Sequence, residues 1–203
     1  MSGPARAGRL LEEHGRTYAE EAGIRLRNTP SPLYRLLTLC VLLSVRIKAD
    51  IAVSAARELS AAGMRTPRAM AEASWQDRVD VLGRAHYRRY DESTATALGD
   101  GAELVLDRYR GDLRRLREEA DGDPERIRGL LREFPRIGPV GADIFSREAQ
   151  GVWPELRPAF DARARHAAAV LHLPKTPAGL ARLVPGDDLP RLAAALVRVE
   201  LAE

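Results

Sequence analysis

Between Leu33 and Val45 the chain is apolar on nearly every side of a helix, with only Arg35, Thr38 and Ser44 breaking the pattern. A helix without a polar face has to be wrapped by other elements. Its densest part, Leu36 to Val45, covers ten residues. That is too few to cross a bilayer, so the wrapping must come from the chain itself. The composition says what wraps it: 32 Ala stand against 12 Val, 6 Ile and 10 aromatics. That mix favours helices and disfavours a β-sandwich or barrel. A chain of 203 residues suits one mid-sized domain or one unit with two lobes. At that length about 70% of the unfolded surface can be buried without a staple.

Turn signals divide the rest into helices. Arg6 to Glu21 is polar and helix-compatible, with Gly23 to close it. Asn28-Thr-Pro-Ser-Pro32 stops one helix and starts the next. Asp50 to Ala62 repeats small and apolar residues at helical spacing, and Gly63 ends it. Thr66-Pro67 is an N-cap followed by proline at the first helical position. Ser74 to Leu82 begins on a second cap and closes at Gly83. A longer helix runs to about Tyr109, with Gly99 and Gly101 weakening its middle. Residues 107 to 136 carry nine Arg against eight acids, the mark of a solvated helical surface. Asp123-Pro124, Asp161, Thr176-Pro177 and Asp187 to Pro190 each introduce a further helix. The reading is an all-α fold of ten to twelve helices.

Several function classes drop out. Cys40 is the only cysteine, so an internal disulfide and a four-cysteine zinc or iron–sulfur site are impossible. The first residues lack the apolar stretch of a secretory signal, which points to a cytoplasmic protein without membrane attachment. Thirty Arg and two Lys against 29 acids leave a net charge of +3. That excess is too small to identify a polyanion partner, so local placement has to decide.

The most informative stretch is Ile127-Arg-Gly-Leu-Leu-Arg-Glu-Phe-Pro-Arg-Ile-Gly-Pro-Val-Gly-Ala-Asp-Ile-Phe145, which reads helix, turn, helix. Ile137 can plug the turn into the core. Gly138 allows a positive φ angle or close approach of another backbone. Pro139 suits the first position of the following helix. The N–H groups near Val140 and Gly141 then point outward at the positive end of the helix dipole, an anion site that suits phosphate. The plainer alternative is a tight corner between two helices.

Phe-Pro-Arg-Ile-Gly-Pro-Val-Gly-Ala resembles the helix-hairpin-helix of the endonuclease III-like DNA glycosylases, whose hairpin usually reads Leu-Pro-Gly-Val-Gly-x-Lys-Thr-Ala. Leu42-Leu-Ser-Val-Arg-Ile-Lys48 is similar to that family's Leu-Leu-Ser-x-Gln-Thr-Lys. Leu82 to Arg88 resembles its Val-Gly-Phe-Tyr-Arg. Phe160-Asp161-Ala-Arg-Ala-Arg165 falls where the family has Val-Asp-Thr-His-Val-x-Arg, and Gly138 precedes Asp161 by 23 residues, a spacing that fits. The chain departs from the pattern at Arg136, in place of a glycine, and at Val140, in place of the lysine nucleophile. It departs again at Ala162-Arg163, and it lacks the cysteine-rich cluster.

The resemblance implies a two-lobed helix-hairpin-helix glycosylase fold. Residues 30–147 would form one lobe; 1–29 with 148–203 would form the second and carry the catalytic aspartate, with the DNA cleft between them. It implies removal of a damaged base from duplex DNA by a monomer, without strand cleavage, because Val140 cannot form a Schiff base and only Lys48 and Lys175 remain. Asp161 is the matching carboxylate, to stabilise the oxocarbenium-like sugar and orient water; as an N-cap alone it would contribute about 1 kcal/mol. Arg46 lies where the family has a glutamine that fills the gap left by the flipped base; a surface arginine is the plain alternative. DNA contacts are expected from Arg46, Lys48, Arg136, Gly138, Val140, Gly141, Arg163 and Arg165. His86, Tyr87 and Trp153 are candidates for a base pocket, with core packing as the alternative for each. No metal or organic cofactor is expected; a monovalent cation on hairpin carbonyls is a further implication. Two other readings stand beside this one: a non-catalytic relative that binds damaged or structured DNA, and a helical interaction module unrelated to DNA.

Overall fold

The computed structural model describes residues 2–202, and among them there is no strand. Thirteen helices follow in order: α1 (Gly3–His14), α2 (Tyr18–Glu21), α3 (Pro30–Leu43), α4 (Ala49–Ala61), α5 (Pro67–Glu72), α6 (Trp75–Arg84), α7 (Asp91–Tyr109), α8 (Arg114–Glu119), α9 (Pro124–Leu131), α10 (Pro139–Ala149), α11 (Ala162–Val170), α12 (Pro177–Ala181) and α13 (Leu189–Ala202). Two 3₁₀ turns, Pro154–Leu156 and Gly186–Asp188, complete the described elements. None of these helices is long and apolar enough to cross a membrane.

The chain divides into two compact units. One takes the chain up to Glu21 and from Ser146 onward; the other is Ala22–Phe145. The division falls inside α10. In the Ala22–Phe145 unit, α3 is the apolar helix expected at its centre. Leu33, Leu36, Leu39, Cys40 and Leu42 are fully buried, and α3 packs on α4 and α7. α6 packs on both α4 and α7, and α5 on α7. In the other unit α13 lies against α1 and α11. Its buried face is small and tight: Leu192, Ala193, Ala194, Ala195 and Leu196 are all fully covered.

Side-chain caps set several of these boundaries. The hydroxyls of Thr66 and Thr176 accept from the N–H three residues on, as do the carboxylates of Asp123 and Asp161. Ser74 and Asp77 form a reciprocal capping box at the head of α6.

Thirteen helices stand where the sequence reading gave ten to twelve, and two boundaries differ in ways the local geometry explains. Arg6 to Glu21 is not one helix. α1 stops at His14, and Thr17 and Glu20 form a second reciprocal box that starts α2: Thr17 N–H donates to Glu20 Oε2 at 2.9 Å and Glu20 N–H to Thr17 Oγ1 at 3.1 Å. Gly83 does not end α6 either. The helix runs one residue further, and His86, with φ at 59°, takes the left-handed position that glycine usually fills.

Arg78 explains why Gly99 is tolerated inside α7. The Arg78 side chain is buried, and its Nε donates to Ala95 O at 2.8 Å while Nη1 donates to Met70 O at 2.9 Å and Ala73 O at 2.8 Å. One guanidinium thus ties α5, α6 and α7. A Cβ on Gly99 would lie 2.6 Å from its Nη2. Arg78→Met should leave three carbonyls without their donor and destabilise the chain by about 3–5 kcal/mol. A fall of the urea midpoint at constant m-value checks this.

Candidate functional site

In the Ala22–Phe145 unit, three loops meet at one end of α3. The first is the turn after α3. Ser44 Oγ donates back to Cys40 O at 2.6 Å, and the chain then runs through exposed Arg46 to exposed Lys48, which precedes α4. The second is the hairpin between α9 and α10. Ile137 is buried, as a plug should be, and a Cβ on Gly141 would lie 2.6 Å from Ser44 Oγ. Glycine at 141 is therefore what lets the first turn of α10 sit against the end of α3. The third is His86 to Tyr90, anchored by Tyr87, whose hydroxyl donates to Leu42 O at 3.1 Å. Burial raises the Tyr87 pKa, while Thr94 and then the positive charge of Arg136 act against it. Arg46, Lys48, Arg88, Arg89 and Arg136 are all exposed on these loops.

Inside the hairpin the conformational load sits elsewhere than expected. Gly138 does not have a positive φ, and nothing lies within 4 Å of where its Cβ would be. Arg136 has the left-handed backbone instead, at φ 68°. It stands at the residue where the resembling motif carries glycine, and it adopts the glycine conformation in spite of its Cβ. Val140 is 59% exposed at the head of α10. The first intrahelical bond is Ala142 N–H to Gly138 O, so the amides of Val140 and Gly141 precede the ladder. Of the hairpin carbonyls, Phe134 O and Gly138 O already accept from the N–H groups of Ile137 and Ala142, both at 3.0 Å.

Two proposed pocket residues belong to the core. Tyr87 and Trp153 are fully buried, so neither presents a face to a base; the packing alternative describes both. His86 is exposed and serves as the left-handed closing residue of α6.

In the other unit, Asp161 heads α11 at the end of a stapled loop. Gln150 is fully buried. Its Oε1 accepts from Ala159 N–H at 3.0 Å, and its Nε2 donates to Ala159 O at 2.9 Å and to Arg147 O at 3.0 Å. Arg157 Nε adds a bond to Gln150 O at 2.7 Å. The loop therefore delivers Asp161 in a fixed place. Its carboxylate is engaged on both oxygens: Oδ1 accepts from Ala164 N–H at 2.9 Å, and Oδ2 from Arg147 Nη1 at 2.7 Å. The side chain keeps 11% of its surface. Each carboxylate oxygen has two lone-pair sites, so one on each remains for a further donor. Arg163 and Arg165 are exposed on the same helix.

Sequence reasoning missed the group behind Asp161. Arg147 has 4% of its side chain exposed and Glu148 none. The guanidinium lies over the Tyr18 ring at 5.3 Å, with Arg198 at 4.3 Å from the same ring. Burial works against the charge on Arg147, but Glu148 and Asp161 hold its pKa above the usual value. The pair has no distinct signal in the sequence, because α10 also carries Asp143 and Ser146 on either side of Ile144-Phe145.

No protein-family model and no curated protein matches the chain. Two solved structures are similar to it. One is a trapped endonuclease III–DNA covalent intermediate in an estranged-adenine complex, at TM-score 0.52 and 14% identity over 97% of this chain and 85% of that one. The other is a non-covalent endonuclease III–DNA complex, at TM-score 0.56 and 14% identity over 96% and 80%. The chain has the all-helical endonuclease III fold.

Arg136→Gly should stabilise the chain, because relief of left-handed strain outweighs the added freedom of the unfolded state, by about 0.5–1 kcal/mol. A rise in the thermal midpoint checks it, and an unchanged or lower midpoint contradicts the strain.

Proposed function

We propose that the chain binds duplex DNA and releases a damaged base by hydrolysis, with Asp161 as the acting carboxylate and without cleaving the strand. The observation that carries this reading is the placement of Asp161. It heads a helix at the end of a loop stapled by Gln150, and it retains exposed surface with one lone-pair site left on each oxygen. DNA binding is supported by the five exposed cations on three adjoining loops and by the amides that open α10. Contacts of that kind carry no base information and suit a protein that scans any sequence.

The chemistry follows from those groups. The bond from C1′ of the sugar to the base nitrogen breaks, and the base departs with the electron pair and gains a proton. Positive charge then develops on the sugar, where a fixed carboxylate stabilises it. A water oriented by the free lone pair of Asp161 bonds to C1′ and gives up its proton, which leaves an abasic site. Strand cleavage by a Schiff base needs an amine beside the sugar. Val140 has none, and the chain's two lysines are Lys48 and Lys175.

One observation favours the second reading, a non-catalytic DNA binder: Arg147 pairs with the carboxylate that would do the chemistry. The two readings separate on a panel of duplexes, each with one alkylated, oxidised, deaminated or mismatched base. The first expects alkali-labile sites from at least one duplex, with no cleavage when alkali is omitted. Salt-dependent binding with no base release from any duplex supports the second.

Asp161→Asn keeps a capping residue at the head of α11. It should abolish base release while binding of the same duplex persists, and undiminished release rejects Asp161. Arg46→Ala should lower affinity for a lesion duplex more than for an undamaged one. Equal loss on both makes Arg46 a phosphate contact only.

A further inference from the structure

Behind Asp161 lies a row of charges that the proposed chemistry does not use. Arg147 touches two carboxylates. Its Nη1 donates to Asp161 Oδ2 at 2.7 Å, and its Nε lies 3.6 Å from Glu148 Oε1. That Nε is buried and makes no hydrogen bond. Glu148 is held in turn: its Oε2 accepts from Ala19 N–H at 2.9 Å and its Oε1 from Tyr18 N–H at 3.4 Å. The groups around Glu148 are therefore Arg147 on α10, Arg198 on α13, and the Tyr18 ring with two backbone amides of α2. Arg198 is itself paired with Glu21 at 3.0 Å.

Charge counting gives this arrangement a purpose. A lone guanidinium beside Asp161 would cancel the negative field that a cationic sugar needs. With Glu148 on its other side, the guanidinium is shared, and Glu148, Arg147 and Asp161 carry a net negative charge between them. Asp161 is the only one of the three with appreciable exposure. The excess charge is thus presented there, while the guanidinium fixes the orientation of Oδ2.

We infer that Arg147 and Glu148 are positioning residues for Asp161: Arg147 fixes the carboxylate, and Glu148 neutralises Arg147 so that Asp161 keeps its charge toward the substrate. This rests on the reading of Asp161 as the acting carboxylate. Burial raises the Glu148 pKa above the ordinary carboxylate range, against the pull of Arg147, the two amides and Arg198. As pH falls, Glu148 takes up a proton, the three groups lose their net charge and Asp161 is left fully compensated. Base release should then decline toward acid from a pH above the ordinary carboxylate range.

The test uses the full chain and the duplex from the lesion panel on which it releases base, under single-turnover conditions. Glu148→Gln should slow release by about 10- to 100-fold while the dissociation constant for that duplex stays within about twofold. The same variant should lose the acid-side decline that starts above the ordinary carboxylate range. Arg147→Met should slow release to a similar degree, and Arg147→Lys, which restores a cation at that place, should recover part of the rate. Folding of each variant is followed by circular dichroism. If Glu148→Gln does not fold, Glu148→Asp shifts the charge without removing it and should show the same split between rate and affinity. Variants that release base at the original rate with the original pH profile overturn the inference and leave Asp161 standing. No release by the unaltered chain from any duplex overturns both.

Discussion

A guanidinium taken out of water dictates what surrounds it. It brings five donors and a charge that persists at any physiological pH, and it must find acceptors for them. Both units are organised by such a group. In Ala22–Phe145, Arg78 draws three carbonyls from α5, the residue after it and α7 onto one side chain. In the other unit Arg147 draws Asp161 and Glu148 to itself under the Tyr18 ring. The position of α2 follows from the second of these, because Glu148 is held by the first amides of that short helix. The segment before Ser146 that joins this unit is thereby tied to the candidate site by hydrogen bonds as well as by the packing of α1 on α13.

A fold shared at 14% identity is a platform on which different chemistries can be mounted. The local geometry shows what this chain builds on it. The hairpin has a buried plug at Ile137 and a closely packed glycine at 141. Its left-handed residue is Arg136, and an apolar side chain stands exposed at 140. The first places a cation beside the amides that open α10; the second leaves the head of that helix without a charged side chain.

Much of the fold was legible because it depends on local rules. Thr66, Ser74, Asp123, Asp161 and Thr176 cap their helices as capping chemistry predicts. α3 is buried because it has no polar face. The misreadings have physical causes too. The break between α1 and α2 hangs on a Thr17–Glu20 box inside a polar stretch, where hydrophobic periodicity is silent. His86 and Arg136 take left-handed positions that sequence reasoning reserves for glycine. In the candidate site, Asp161 could be singled out from a motif, but its partners could not. Arg147 is fourteen positions before it along the chain and meets it only because Gln150 folds the intervening loop back. A buried ion pair between residues so placed leaves no periodic trace.

The contact between Arg78 and Gly99 reaches beyond this one chain. A side chain at 99 has no room while the guanidinium is present, and a shorter residue at 78 would leave both a void and unpaired carbonyls. Neither position can drift alone through generations of substitution. Descendants of a common ancestor should carry either both residues or neither, so a correlated change at these two places in related chains would be the inherited imprint of one buried arginine.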